Sequence, residues 1–183
     1  MVRKKLAASD GAKRDYTRIM TPPSTPTITI ARLLEDTQYG LQLELVSGAE
    51  GLSRHISSAR IQKPGLALTG FTEHLHPERV QIFGNTEISY LRTLSTAQQE
   101  AVLSKLFDSR LACVVVTKGL EIPRLLNEGC QKSRLALMRT PLVSSAFIIR
   151  IQSFLEEALT ATGSVHGVLL DVFGVGVLIL GKS

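Results

Sequence analysis

From Ser144 to Leu159 the residues Phe147, Ile148, Ile151, Phe154, Leu155 and Leu159 recur every three or four positions. That spacing places an apolar stripe along one side of an α-helix and predicts a helix over 144–159. Ahead of it, "LACVVVT" (111–117) and "LALM" (135–138) are short, continuous apolar runs, as fully buried strands are. Between them "IPRLLNEGC" reads as a helix with Pro123 in its first turn, where a missing amide costs nothing. Strand, helix and strand in succession predict a parallel crossover. Ser95 and Gln98 have the spacing of a capping box, so a helix is expected from about residue 95. Its apolar side would be Ala101, Val102, Leu103, Leu106 and Phe107.

Upstream the signals are shorter. "ITIARLLED" predicts a short strand and a helical turn, "LQLELV" (41–46) alternates like a half-buried strand, and "SGAEGL" is a turn. "HISSARI" offers another short extended piece, and "RVQIFG" (79–84) a strand stopped by Gly84. "KPGLALTG", punctuated by Pro64, Gly65 and Gly70, is a loop with at most a short helix. The body is therefore α/β with a mixed sheet. Residues 1–27, polar and Pro/Ser/Thr-rich toward their end, lack periodicity and are expected to be a disordered basic tail.

Composition narrows the class. Of 183 residues, 44% are hydrophobic and 20% charged, the balance of a globular chain, and Asp171 interrupts the longest apolar run before it reaches membrane-spanning length. No secretory signal pattern is present, and a cytoplasmic protein with no membrane partner is expected. The net charge of +5 would suggest nucleic acid, but its location argues against that. The first 20 residues carry six basic and two acidic groups, which leaves fifteen basic against fourteen acidic in the rest. Cys113 and Cys130 match no zinc spacing and read as structural thiols.

The last eight residues, Gly176 to Ser183, satisfy G-x-x-x-x-G-K-S, the pattern of a phosphate-binding loop. Such a loop needs amides that converge on phosphate oxygens, yet Val177, Leu178, Ile179 and Leu180 prefer an extended backbone. "VHGVLLDV" and "VGVLIL" flank Phe173-Gly174 and predict an antiparallel hairpin. A two-residue turn would set Val172 opposite Val175, Leu170 opposite Val177, Val168 opposite Ile179 and His166 opposite Gly181. Phe173 is an unfavourable choice for a turn that needs positive φ, so a slip of register remains open.

The terminal "HGVLLDVFGVGVLILGKS" resembles the HPr kinase/phosphorylase family, as do "GLSRHISSARIQKPGLALTGF", "HPERVQIFGNTEISYL", "VVVTKGLEIP" and "MRTPLVSSAFI" upstream. The resemblance runs from about Ile28 to the end. It implies a bacterial, bifunctional, hexameric enzyme that uses ATP and Mg²⁺ to phosphorylate a serine of HPr, or of an HPr-like phosphocarrier of the sugar phosphotransferase system. It also implies the phosphorolytic reversal of that step. Residues 28–160 would be an N-terminal α/β domain resembling the substrate-binding domains of Mur ligases. Residues 164–183 would open the catalytic P-loop domain, with His166 at its active site. Gly181, Lys182 and Ser183 would then be only the first positions of the nucleotide-binding loop, Lys182 standing where the family usually has Asp. On that reading the chain is an N-terminal fragment, inactive alone and binding ATP and Mg²⁺ poorly. The alternative is a standalone regulatory or partner-binding module left after loss of the catalytic half.

Other residue groups carry weaker signals. "EHLH" sets His74 and His76 beside Glu73 without a third and fourth metal ligand, and surface histidines are the expectation. Asn85, Glu87 and Tyr90 fit a helix start and its packing. Lys63 stands in "QKPG" where Arg is common in the family, and would serve a bidentate contact less well. Asp171, near the hairpin turn, is expected to bond backbone amides.

Overall fold

The computed structural model describes residues 26–160 and 167–180, so most of the expected tail and the residues 161–166 and 181–183 lie outside the described residues. The order is β1 (Ile28–Thr29), α1 (Ala31–Leu34), β2 (Glu44–Ser47), a 3₁₀ turn (Ala49–Ser53), β3 (His55–Ile56) and β4 (Ile61–Gln62). There follow α2 (Gly65–Leu68), β5 (Val80–Phe83), α3 (Asn85–Thr93), α4 (Thr96–Asp108), β6 (Cys113–Val116) and α5 (Arg124–Lys132). The chain continues through β7 (Ala136–Arg139), α6 (Ser144–Ala158), β8 (Gly167–Val172) and β9 (Val175–Leu180).

Five strands form one sheet in the order β2-β7-β6-β5-β4. β4 to β7 run parallel, and β2 closes the β7 edge antiparallel, which makes the sheet mixed. The expected strand–helix–strand crossover is present as β6, α5 and β7, with Cys113 opposite Ala136 and Val116 opposite Arg139. Successive side chains of β5, β6 and β7 enter opposite layers, as the period of two requires. Val80, Ile82, Cys113, Val115, Ala136 and Met138 meet Phe147, Ile151, Phe154 and Leu155 of α6. Phe83, Val114, Val116 and Leu137 meet Leu68 of α2, Ile88 and Leu91 of α3, Leu103 and Leu106 of α4, and Leu126 of α5. The continuous apolar runs at 111–117 and 135–138 thus reflect a sheet covered on both faces.

Two local expectations need correction. The strand read over 41–46 begins only at Glu44, because Gln42 adopts φ +50°, and Leu41 is buried while Leu45 is partly exposed. Ala101 is exposed on α4, whose core side is carried by Leu103 and Leu106. The α4 cap itself forms as the spacing predicts. Gln98 donates its amide to the Ser95 hydroxyl and its Oε1 accepts from the Ser95 amide at 2.9 Å.

Residues 36–41 make a strap over α6. Arg150 donates to the Gly40 carbonyl at 2.7 Å, Tyr39 packs edge-on against Phe154 at 5.8 Å, and the Tyr39 hydroxyl donates to Glu157. These three α6 residues share one side of the helix. The strap is held in shape by Asp36, whose carboxylate accepts from the amides of Gln38, Tyr39 and Leu41 at 3.1, 2.8 and 2.8 Å. Burial works to raise the Asp36 pKa, but the amides of Leu41, Tyr39, Gln38 and Gly40 together hold it below its ordinary 3.8. A carboxyl with a depressed folded pKa stabilises fully above its unfolded value, and that stabilisation disappears as pH falls through the folded value. The stability difference between wild type and Asp36→Asn, read from urea midpoints, is therefore expected to be present at pH 7 and to shrink below pH 3.8.

Candidate functional site

The hairpin forms in the register its sequence implies. Val172 pairs with Val175, Leu170 with Val177 and Val168 with Ile179. Phe173 and Gly174 both take positive φ, +54° and +80°, as the two-residue turn demands. Phe173 accepts a backbone region that costs a non-glycine residue roughly 1–2 kcal/mol. Asp171 Oδ1 offsets part of this by accepting from the Gly174 amide at 2.8 Å, the backbone-bonding role expected of it. Val177–Leu180 lie in β9, in a ladder with β8, so this stretch is not a phosphate-cradling loop. His166, Gly181, Lys182 and Ser183, the residues assigned by resemblance to catalysis and nucleotide binding, lie outside the described residues.

Within the described residues a polar cluster gathers at the carboxyl ends of β4 to β7. Phe83, Val116 and Arg139 end their strands in register across the sheet. The chain leaves β4, β5 and β6 toward α2, α3 and α5 on one face, and leaves β7 toward α6 on the other. In open α/β sheets such a change of face opens a crevice beside the strand ends. Here Glu87 of α3 is 3% exposed, and its Oε2 accepts from the Gly84 amide at 2.9 Å, tying down one orphan donor of the helix start. The same oxygen lies 3.4 Å from Lys63 Nζ, whose side chain remains 40% exposed. Beside them, Thr117 donates its hydroxyl to the Phe83 carbonyl at 3.4 Å and accepts from the Ser144 hydroxyl at 2.6 Å.

Gly84 sits at the centre. A side-chain carbon there would stand 2.9 Å from Ser144 Oγ, 3.5 Å from Glu87 Oε2 and 3.7 Å from Lys63 Nζ. Glycine is what lets these three groups approach one point. Lys118 lies at the same edge, exposed, with a left-handed backbone at φ +62° and its amide donated to the Leu142 carbonyl at 2.8 Å. Sequence reasoning named Lys63, Asn85 and Glu87 singly and missed Thr117 and Ser144 as partners. Their only sequence signal is position: Thr117 follows the buried run of β6, and Ser144 opens α6.

The other candidates resolve into structural roles. His76 Nδ1 stands 3.5 Å from Glu78 and His74 stacks obliquely on Phe71 at 5.6 Å, in a loop pinned by Gln62 and Gln81. Among the described residues no group of three or more His, Cys, Asp or Glu could hold a metal ion. Cys113 and Cys130 are free and buried, and desolvation pushes both thiols up to about 12, which makes them inert at neutral pH. No described helix is long and apolar enough to cross a membrane.

The fold and this edge define an α/β unit with a covered mixed sheet and a polar cluster at its carboxyl edge. A family model described as HPr Serine kinase N terminus matches residues 28–155, and the chain belongs to that family. Among curated relatives, HPr kinase/phosphorylase of Geobacter sulfurreducens is 54% identical over 156 residues, covering 85% of this chain and 49% of the relative. That of Geobacillus kaustophilus is 39% identical over 142 residues, covering 78% and 46%. The chain thus spans about half the length of the curated relatives it matches. A solved structure of the CBS and DRTGG domains of a Clostridium perfringens pyrophosphatase regulatory region is 18% identical, covers 62% of this chain and 43% of that one, and has a TM-score of 0.43.

Proposed function

We propose that these residues are the N-terminal part of an HPr serine kinase/phosphorylase, which phosphorylates a serine of the phosphocarrier HPr with ATP and reverses the step by phosphorolysis. The observation that carries this reading is the 54% identity to an enzyme of that name across 85% of the chain. Residues 28–160 act as the N-terminal domain, kin to Mur ligase substrate-binding domains, and 164–183 as the opening strands of the catalytic domain. The hairpin register supports the second assignment. The ladder runs in that register as far as Gly167 opposite Leu180, and in the proposed reading the loop for ATP and Mg²⁺ follows β9. The extended backbone of Val177–Leu180 is not that of a nucleotide-cradling loop. The assembly is a cytoplasmic hexamer.

On this reading the 183 residues alone do not transfer a phosphoryl group. Incubated with ATP, Mg²⁺ and HPr, the purified chain should yield no phosphoserine by mass spectrometry. A chimera that continues after Ser183 with the corresponding half of the Geobacter sulfurreducens relative should yield it. A folded but inactive chimera would favour a standalone regulatory module instead, and phosphoserine from the chain alone would remove the reading.

A further inference from the structure

We propose that the groove at the amino ends of β5, β6 and β7 docks an acidic peptide segment of a partner protein. Arg54 and Arg110 are its carboxylate ligands, and Pro77, Leu111 and Ala112 form its apolar floor. The groove lies at the opposite edge of the sheet from Glu87 and is independent of the kinase reading.

Three features carry the assignment. First, there is room. A trough of about 550 Å³, rimmed by Arg54, His55, Glu78 and Arg110, opens to solvent where Val80, Cys113 and Ala136 begin their strands in register. So open a trough does not enclose a small molecule, whereas an extended chain lying along it is held over its whole length. Second, the groove holds cations that the described residues do not neutralise. Arg54 is partly buried and donates Nη1 to the Leu111 carbonyl at 2.5 Å and Nη2 to the Ser133 carbonyl at 2.6 Å. Both acceptors are neutral, so its charge stays uncompensated, and the two bonds use only part of the five N–H groups of a guanidinium. They also fix the plane of the fork, which lowers the ordering cost of a carboxylate contact. Among the described residues neither Arg54 nor Arg110 has a carboxylate within ion-pair distance, whereas Arg32, Arg92, Arg124 and Arg139 each stand within 3.3 Å of one. Glu78, the one acid on the rim, is occupied by His76 and Arg79, each at 3.5 Å. Third, Arg110 stands where the backbone favours glycine. It follows the cap of α4 with φ +53°, the left-handed position that ends helices and that glycine usually fills. The dipole of the helix end favours a cation there, but does not account for its meeting Arg54 over an apolar floor. Outside the first 20 residues the chain has fifteen basic and fourteen acidic groups, so this edge is a local excess rather than a share of general basicity. The excess is complementary to Asp and Glu side chains, and the floor to an apolar residue between them.

The test titrates the ¹⁵N-labelled 183-residue chain with the peptide EDLEDE, acetylated and amidated, and with its uncharged counterpart QNLQNQ. The expected result is saturable shifts of the His55, Glu78, Arg110 and Ala112 amides with the acidic peptide, weakening as sodium chloride rises, and none with the counterpart. Arg110→Gly should weaken binding about tenfold, the scale of one charge-assisted hydrogen bond, and should leave the melting temperature unchanged or higher because glycine suits the left-handed backbone. Arg54→Lys, which keeps the charge but loses the fork, should weaken binding by a similar factor, and its thermal melt separates lost binding from lost fold. Lys4→Ser/Lys5→Ser, in the basic N-terminal stretch, should leave binding unchanged. Silence at all four amides, equal affinity in Arg110→Gly, an equal response to QNLQNQ, or shifts confined to residues 1–20 would each overturn the proposal. A short poly-dT oligonucleotide that shifts the same amides at lower concentration would assign the face to nucleic acid and overturn it as well.

Discussion

Replacing Phe147 by alanine is expected to lower stability by about 3–5 kcal/mol, the range for truncating a fully buried aromatic. Phe147 is 0% exposed in the first turns of α6, in the layer formed with Ile82, Val115 and Met138. The protein interior cannot close around so large a void without moving the helix. Moving α6 also disturbs Ser144, bonded to Thr117, and Arg150, Phe154 and Glu157 beneath the strap. Urea unfolding measures the loss directly. Ile149→Ala, on the solvent side of the same helix, serves as the control and should change stability by no more than ~0.5 kcal/mol. A Phe147→Ala loss no larger than that of the control would show that α6 does not seal this layer.

Glu87→Ala should cost about 2–3 kcal/mol, because it withdraws an acceptor from a buried amide and a partner from an ammonium at once. Glu87→Gln, which keeps the acceptor but not the charge, should cost about 1 kcal/mol. Lys63→Met removes a half-exposed cation and is worth less than a buried one. If the two residues act as a pair, the double variant Lys63→Met/Glu87→Gln is less destabilised than the sum of its parts, by about 0.5–1 kcal/mol. Strict additivity in that cycle would mean that Glu87 is only a helix cap and that Lys63 is not oriented by it.

Elements whose pattern answers to one neighbour were legible in the chain. The capping box at Ser95, the apolar stripe of α6 and the hairpin register depend on residues a few positions apart, or on a two-residue turn. Phe173 obeyed the ladder against its own backbone preference, since the pairing on either side fixed the turn. At 41–46 the alternation misled, because Leu41 reaches the core from a bent segment while Leu45 stands on an edge strand. The periodicity there was real, but burial had been shared out between a strap and a strand. The polar cluster at the strand ends was the least legible. Lys63, Glu87, Thr117 and Ser144 are unremarkable polar residues in sequence, and only parallel alignment of four strand ends makes them neighbours.

The sequence by itself determined the helices α4, α5 and α6, the buried strands β6 and β7, the family to which they belong, and the hairpin pairing, because periodicity and turn length act over short distances along the chain. Tertiary structure alone decided that Asp36 and α6 share a strap, and that one glycine admits three polar groups to a single point. Those facts depend on contacts between residues far apart in the chain, whose distances are set by how layers pack rather than by any local preference.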